Sequence, residues 1–324
     1  MDTTTIMTST AKAHTNIAFI KYWGKKNQQL NLPTTSSLFL TLDKFYTKTT
    51  VTLDDTLSTD VLYLNNQKVD ATRVHQFLDV LRDELGYFPT LKINSYNHVP
   101  TSAGLASSAS AFAALTGAVV QELGLHLDTC TLSRLARRGS GSASRSFFGH
   151  FAVWHAGIDN DSSFAESLHA PAMPIALVVA EVSSQQKKVG STEGMQRALT
   201  SPDYGNWVNN SQQQFIDMQS AVMAADIEKI GTIAEANAMS MHDLNLTATQ
   251  HPFTYFTAET QRILQIVDDL KHQGLLAFAT MDAGPNVKII THVEHAQLII
   301  QTLNNALPNL KLEIAQSGPD ISYE

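Results

Sequence analysis

The chain has 324 residues, enough for one or two substantial cores, with two domains as the natural prior. It is 43% hydrophobic and 16% charged, and its net charge of −8 argues against a nucleic-acid or anionic-membrane partner, because basic patches drive both kinds of binding. The single cysteine, Cys130, excludes an internal disulfide and suits a reducing cytoplasm.

A small buried side chain is the plain reading of Cys130. Residues 1–13 are polar and rich in Thr and Ser, without the apolar core of a signal peptide. The weakly polar run at 109–120 is too short for a membrane span. A cytoplasmic location is therefore expected.

Residues 11–23 predict a strand, on the β-prone Asn16-Ile17-Ala18-Phe19-Ile20. It ends in Lys21-Tyr22-Trp23-Gly24-Lys25-Lys26, which sets cations and a phenol at a sheet edge. A solvated lysine pair is the bland alternative. The segment 32–42 is a loop running into a strand, and 47–53 alternates and can pair with it. A hairpin around Asn65-Asn66 is expected at 61–69. A helix is expected at 71–85, where Val74, Phe77, Leu78, Leu81 and Leu85 follow a helical period and Gly86 stops it.

A strand at 90–96 leads into Asn97-His98-Val99-Pro100-Thr101-Ser102-Ala103-Gly104-Leu105-Ala106-Ser107-Ser108 and a helix of small residues at 109–123, closed by Gly124. The first amides of a helix lack intrahelical partners and carry the positive end of its dipole, so such a turn is a ready anion site. Ser107, Ser108 and Ser110 can add hydroxyl contacts to phosphate or hydrated Mg2+. The competing reading is a loop that merely caps a tightly packed helix. No Walker A string occurs in the chain.

After a helix at 129–138 comes Gly139-Ser140-Gly141-Ser142-Ala143-Ser144-Arg145. No apolar strand precedes it and a third glycine is missing, so it is not a dinucleotide fingerprint. It suits a backbone nest around an anion, with Arg145 as a bidentate clamp; an arginine on a flexible surface loop is the alternative. The loop holds no Asp, so an enzyme would have to draw its carboxylate from elsewhere.

Strands at 147–155 and 175–182 are expected to complete the first domain. The polar run 183–195 predicts a loop, and the boundary is placed near Glu181, giving domains 1–181 and 182–324. Helices follow at 207–224, 227–241 and 260–273. His242, expected at a helix end, is a weak catalytic candidate. His292 and His295 lack further ligands at zinc spacing and suit a solvated helix start. A strand at 275–280 enters Met281-Asp282-Ala283-Gly284-Pro285-Asn286-Val287-Lys288, whose Gly-Pro makes a sharp turn. On spacing alone an Asx-turn or a helix cap suits Asp282 at least as well as a catalytic role. A helix at 293–305 and a strand at 310–314 follow.

Six strings carry a family resemblance. Pro-Thr-Ser-Ala-Gly-Leu-Ala-Ser-Ser-Ala at 100–109 resembles the phosphate loop of the galactokinase, homoserine kinase, mevalonate kinase and phosphomevalonate kinase superfamily. Its Ala-Gly-Leu-Ala-Ser-Ser form is similar to that of the mevalonate diphosphate decarboxylases. Residues 14–25, the Gly-Ser-Gly-Ser-Ala-Ser-Arg nest, the Lys-Lys-x-x-Ser-x-x-Gly-Met loop and Met-Asp-Ala-Gly-Pro-Asn-Val resemble further motifs of that family, as does the Pro-x-x-Ser-Ser-Leu segment at 33–38.

The resemblance implies an α/β (α+β) GHMP-kinase-like fold. Its N-terminal domain would be a left-handed βαβ unit and its C-terminal domain ferredoxin-like, with the active site in the cleft between them. ATP would lie along Pro100, Ser102, Gly104, Leu105, Ala106, Ser107 and Ser108, flanked by Ser95 and Asn97, with Lys187 and Ser191 closing on it and Ser107 meeting Mg2+. Mevalonate 5-diphosphate would meet Tyr22, Lys25, Ser140, Gly141, Ser142, Arg145, Asp282 and Ala283. Asp282, Lys25, Arg145 and Lys187 would carry the ATP-dependent decarboxylation to isopentenyl diphosphate, in a homodimer. Thr192 stands where some bacterial relatives carry Arg, so that contact does not carry over. A kinase-only relative and a non-catalytic ligand sensor on the same fold are the alternatives, and the superfamily kinases' Asp is missing from the Ser140 loop.

Overall fold

A computed structural model describes residues 8–99, 107–183 and 188–324. The apolar run at the start of the chain forms β1 (Ser9–Ile20). A short hairpin of β2 (Lys25–Asn27) and β3 (Leu32–Pro33) turns the chain back along β4 (Ser37–Leu53), antiparallel to β1. Asn65 and Asn66, with φ of 49° and 66°, turn the expected hairpin of β5 (Val61–Leu64) and β6 (Gln67–Val69). Both residues sit in the left-handed region that this two-residue turn requires and that Asn tolerates.

Helix α1 (Thr72–Leu85) then crosses to β7 (Leu91–Asn97), which runs parallel to β5. α2 (Ser107–Glu122) and α3 (Thr129–Gly139) follow, α3 being capped by the Asp128 carboxylate, which accepts from the Thr131 amide at 2.9 Å. The Gly/Ser nest tightens into a 3-10 turn, Gly141–Arg145, before β8 (Phe151–Trp154) and β9 (Ala165–Ser167).

The second half supplies β10 (Ile175–Glu181), α4 (Ser191–Ala198), α5 (Tyr204–Met223), α6 (Ile227–Thr247) and α7 (Ala258–His272). It ends with β11 (Ala277–Thr280), β12 (Val287–His292), α8 (Val293–Ala306), β13 (Lys311–Gln316) and β14 (Ser322–Tyr323). β10 to β13 make a four-stranded sheet in the order β11-β12-β10-β13, with every neighbouring pair antiparallel. With helices between β10 and β11 and α8 between β12 and β13, this is the split βαβ arrangement of a ferredoxin-like unit. The first sheet has the order β14-β1-β4-β7-β5-β6, with β8 and β9 branching from β4.

Several expectations are corrected. β10 does not complete the first sheet; it is an interior strand of the second. The segment 183–195 is not all loop, because α4 begins at Ser191. α6 runs on to Thr247, which places His242 inside a helix and not at its end. Cys130 is half-buried. β14 pairs with β1 although nothing in its local pattern marks it as a strand.

Small residues let α2 lie close against β1 and β4: Ala113, Ala114 and Ala118 are fully buried, and a Cβ at Gly117 would sit about 3 Å from Ile321 and Tyr323. That cluster covers one face of the first sheet. The other face, including Ile17, Phe19 and Leu40, shares a second cluster with Leu177 and Val179 of β10 and with Met218, Ile230 and Phe278. Each such side chain contributes about 1.5–3 kcal/mol on burial, so the two units are joined by core and not by a linker.

Candidate active site

Where β1 ends, Lys21, Tyr22, Trp23 and Lys25 reach a cleft of about 640 Å3, and the turn after β11 brings Asp282 and Ala283 to the same space. The 3-10 turn and the start of α2 supply the opposite wall through Ser140, Gly141, Ser142, Arg145, Ser107 and Ser108. Trp23-Gly24-Lys25 is held in shape by Tyr204 of α5, whose hydroxyl lies 3.1 Å from Thr34 Oγ1 and 3.3 Å from the Trp23 carbonyl. Gly24 has φ of 138°, and a Cβ there would run into the Tyr204 hydroxyl, so only glycine fits.

Asp282 is the carboxylate that the Gly/Ser nest lacks. Lys21 Nζ donates to its Oδ1 at 2.9 Å, and Lys288 Nζ stands 3.7 Å from Oδ2. Burial alone would raise this carboxyl, but Lys21, Lys288 and Arg145 outweigh it and hold the pKa down at about 2. The group is about a fifth exposed and faces the cleft as an anion.

Arg145 is not on the surface. It is 5% exposed, with its guanidinium 5.4 Å from the centre of the Phe39 ring, and burial lowers its pKa to about 10. Its Nε and Nη1 are buried without hydrogen-bond partners, and so is the Tyr22 hydroxyl. Buried donors left unpaired cost free energy, so each points to a polar group that arrives with a ligand. Burial raises the Tyr22 phenol far above its ordinary value, so it stays protonated. A Cβ at Gly141 would fall 2.7 Å from the Tyr22 hydroxyl, which explains a glycine at that point of the nest. Lys25 Nζ donates to Asn31 Oδ1 at 2.7 Å and remains on the cleft wall, its pKa lowered by burial and then by Arg73.

On the wall formed by α2, the hydroxyls of Ser108, Ser140 and Ser142 form a chain, 3.2 Å and then 3.3 Å apart. Ser107 opens α2 and lines the cleft, and the start of a helix is where amides lack intrahelical partners. Ser191 opens α4 on the far rim. The Ser95 hydroxyl lies 2.9 Å from that of Thr49, and Asn97 Oδ1 accepts from Thr47 at 3.2 Å, on the strand that leads into residues 100–106. Pro100, Ser102, Gly104, Leu105, Ala106 and Lys187 lie outside the described residues.

Lys21 and Arg73 were not singled out from sequence. Lys21 is 1% exposed at the end of an apolar strand, and a buried lysine in such a run demands an anionic partner; that was the available signal. Arg73, in the first turn of α1, lines the cleft, donates to the Gly139 carbonyl at 3.2 Å and lies 4.9 Å from the Phe112 ring centre. α6 braces the site from below. Asn237 Oδ1 accepts from the Lys21 amide at 2.7 Å, and Asn245 Oδ1 accepts from Trp23 Nε1 at 3.2 Å. His242, between them, is kept neutral by burial, with its pKa down at about 3. Among the described residues no three His, Cys, Asp or Glu side chains converge as a metal cage, and no helix is long and apolar enough to cross a membrane.

Two family models match the chain: "Diphosphomevalonate decarboxylase-like N-terminal domain" over residues 13–165 and "Mevalonate 5-diphosphate decarboxylase C-terminal domain" over residues 177–320. A diphosphomevalonate decarboxylase of Debaryomyces hansenii is 33% identical over 322 residues, covering 91% of this chain and 82% of that protein. A crystal structure of mevalonate diphosphate decarboxylase from Staphylococcus aureus superposes with a TM-score of 0.95 at 38% identity, covering 98% of each chain. A structure described as MDDEF in complex with MVAPP, AMPPCP and magnesium superposes with a TM-score of 0.92 at 40% identity, covering 98% of this chain and 99% of that one.

Proposed function

The chain belongs to the diphosphomevalonate decarboxylase family, and we propose that it converts mevalonate 5-diphosphate and ATP to isopentenyl diphosphate, CO2, ADP and phosphate, a step of isoprenoid biosynthesis. The observation that carries this reading is the meeting of one ionised carboxylate, Asp282, with the unpaired buried donors of Arg145 and Tyr22 in a single cleft. The reaction needs such a set. A tertiary hydroxyl leaves poorly, so the γ-phosphoryl of ATP is first transferred to it. Phosphate departure then builds positive character at that carbon, and loss of CO2 supplies the electrons of the alkene.

Asp282 accepts the hydroxyl's hydrogen bond and takes its proton as the phosphoryl bond forms. With a pKa of about 2 it is a weak base, so its main contribution is orientation. Arg145, Tyr22, Lys25, Ser140, Gly141, Ser142 and Ala283 hold the carboxylate and diphosphate of the substrate. Ser107, Ser108 and the start of α2 hold ATP, with Lys187 and Ser191 closing over it. The donor set suits Mg2+ carried mainly by the nucleotide phosphates, with the Ser107 hydroxyl as a further ligand, because this ion keeps several waters and seldom needs an all-protein cage. It would neutralise charge on the transferring phosphate.

We place the division between the two units after β9 and before β10, in place of a boundary at 181, with β14 returning to the first sheet; β10 pairing within the second sheet supports this, as do family matches over 13–165 and 177–320. A homodimer and a cytoplasmic location complete the reading, the latter supported by a single cysteine. Incubation with ATP and mevalonate 5-diphosphate should release ADP, phosphate and CO2 in equal amounts. ADP formed without CO2 would replace the decarboxylase with a kinase.

A further inference from the structure

We propose that Lys288 is a positioning residue that fixes the Asp282 carboxylate in its reactive pose from behind the cleft. This inference deepens the decarboxylase reading and rests on it. Lys288 lies in β12, an interior strand of the second sheet, paired with Thr280 on one side and Val179 on the other. Val287, Ile289, Ile290 and Thr291 around it are fully buried, and Lys288 itself is 1% exposed. It is not among the cleft-lining residues, so it acts through Asp282 and not on the substrate.

The hairpin register explains the placement. Thr280 is the last residue of β11 and faces Lys288, so Asp282, two residues further on, returns to the same side of the sheet. The two carboxylate oxygens then meet different ammonium groups, Oδ1 with Lys21 at 2.9 Å and Oδ2 with Lys288 at 3.7 Å. Lys21 alone would leave the carboxyl free to swing about its last torsion. A second cation, attracting the other oxygen from the far side, narrows that freedom, as an oriented hydroxyl acceptor requires.

Burying an ammonium costs several kcal/mol, so a lysine in this strand requires an anion to answer it, and the Asp282 carboxylate stands within 3.7 Å. Among the described residues, the charged and titratable groups facing Asp282 are Lys21 at the end of β1, Arg145 from the 3-10 turn, Lys288 from β12 and neutral His242 from α6. Three cations surround one carboxylate, and the excess charge suits an anionic substrate.

The test is Lys288→Met beside Lys288→Arg in the full-length protein. Lys288→Met should keep its melting temperature and its KM for ATP while kcat falls about 10- to 100-fold. The acid limb of its pH profile should move to higher pH, since removing a cation raises the carboxyl pKa. Lys288→Arg should restore most of kcat and return the limb. Wild-type kcat and an unmoved acid limb in Lys288→Met would overturn the proposal. So would a kcat loss that Arg does not rescue and no limb shift accompanies. A second measurement needs no turnover: the carboxyl carbon of Asp282, assigned by its loss in Asp282→Asn, is titrated by NMR in wild type and Lys288→Gln. A higher midpoint in the variant supports the proposal, and equal midpoints overturn it. Absence of CO2 from the wild type would instead remove the decarboxylase reading, leaving the titration to decide Lys288.

Discussion

Asp282→Asn keeps the size of the side chain and removes its charge. The expected result is a loss of kcat of about 10²- to 10⁴-fold with ATP affinity near that of wild type, read by steady-state turnover and nucleotide titration. Arg145→Gln takes away the donors that stand unpaired in the cleft and should raise the KM for mevalonate 5-diphosphate, whereas Ser108→Ala should act mainly on ATP. Identical KM patterns for the two variants would dissolve the division of the cleft into substrate and nucleotide walls. The linkage sign for Asp282 follows from its depressed pKa: its stabilising effect is complete above the unfolded value of about 3.9 and is lost as pH falls toward about 2. Asp282 and Arg145 stand out in the sequence through the family strings that hold them, since spacing alone leaves an Asx-turn or a surface arginine open. Lys21 and Lys288 do not, since their meaning lies in a partner supplied by another part of the chain.

Among the elements, α6 ties the helical layer of the second unit to the tip of β1. Asn237 is fully buried, and besides accepting from the Lys21 amide it donates to Ser211 Oγ at 3.0 Å and Gln214 Oε1 at 2.7 Å. Asn237→Ala leaves that amide without its acceptor, a cost of about 1–3 kcal/mol. It should also lower kcat, because Lys21 loses the backbone anchor that aims it at Asp282. Urea unfolding and turnover check the two effects, and unchanged turnover in the folded variant would confine Asn237 to stability. Elements with a clear period or turn signal, such as α1 and the Asn65-Asn66 hairpin, were readable from local pattern. The sheet that takes β10 was not, because a buried apolar strand carries no mark of its pairing partner. β14 was missed for the same reason: two exposed residues become a strand only because β1 offers them an edge.

At the scale of the molecule, the cluster common to both sheets predicts one cooperative unfolding transition, and the end of the chain adds to the coupling. Gly318 donates to the Thr41 carbonyl at 2.8 Å and accepts from His150 at 2.9 Å, Ile321 donates to Phe147 at 3.2 Å, and Glu324 exchanges backbone bonds with Thr10. Removing residues 318–324 should destabilise the protein by about 2.5–7.5 kcal/mol, at roughly 0.5–1.5 kcal/mol for each of these five backbone bonds. Hydrogen exchange should rise in β1 and α2, hundreds of residues from the cut; protection unchanged there would show that β14 is decorative.

The pairing of Lys12 with Ser322 also has a consequence for biosynthesis. β1 leaves the ribosome early, yet its outer partner is translated nearly a chain length later, roughly 15–60 s at ordinary elongation rates. For that interval the nascent first sheet has an open edge at Ala11–Lys12, a template for pairing with a neighbouring nascent chain on the same message. Slowed translation of the last third would lengthen the exposure, and crowded polysomes are where losses of this protein to aggregation should concentrate.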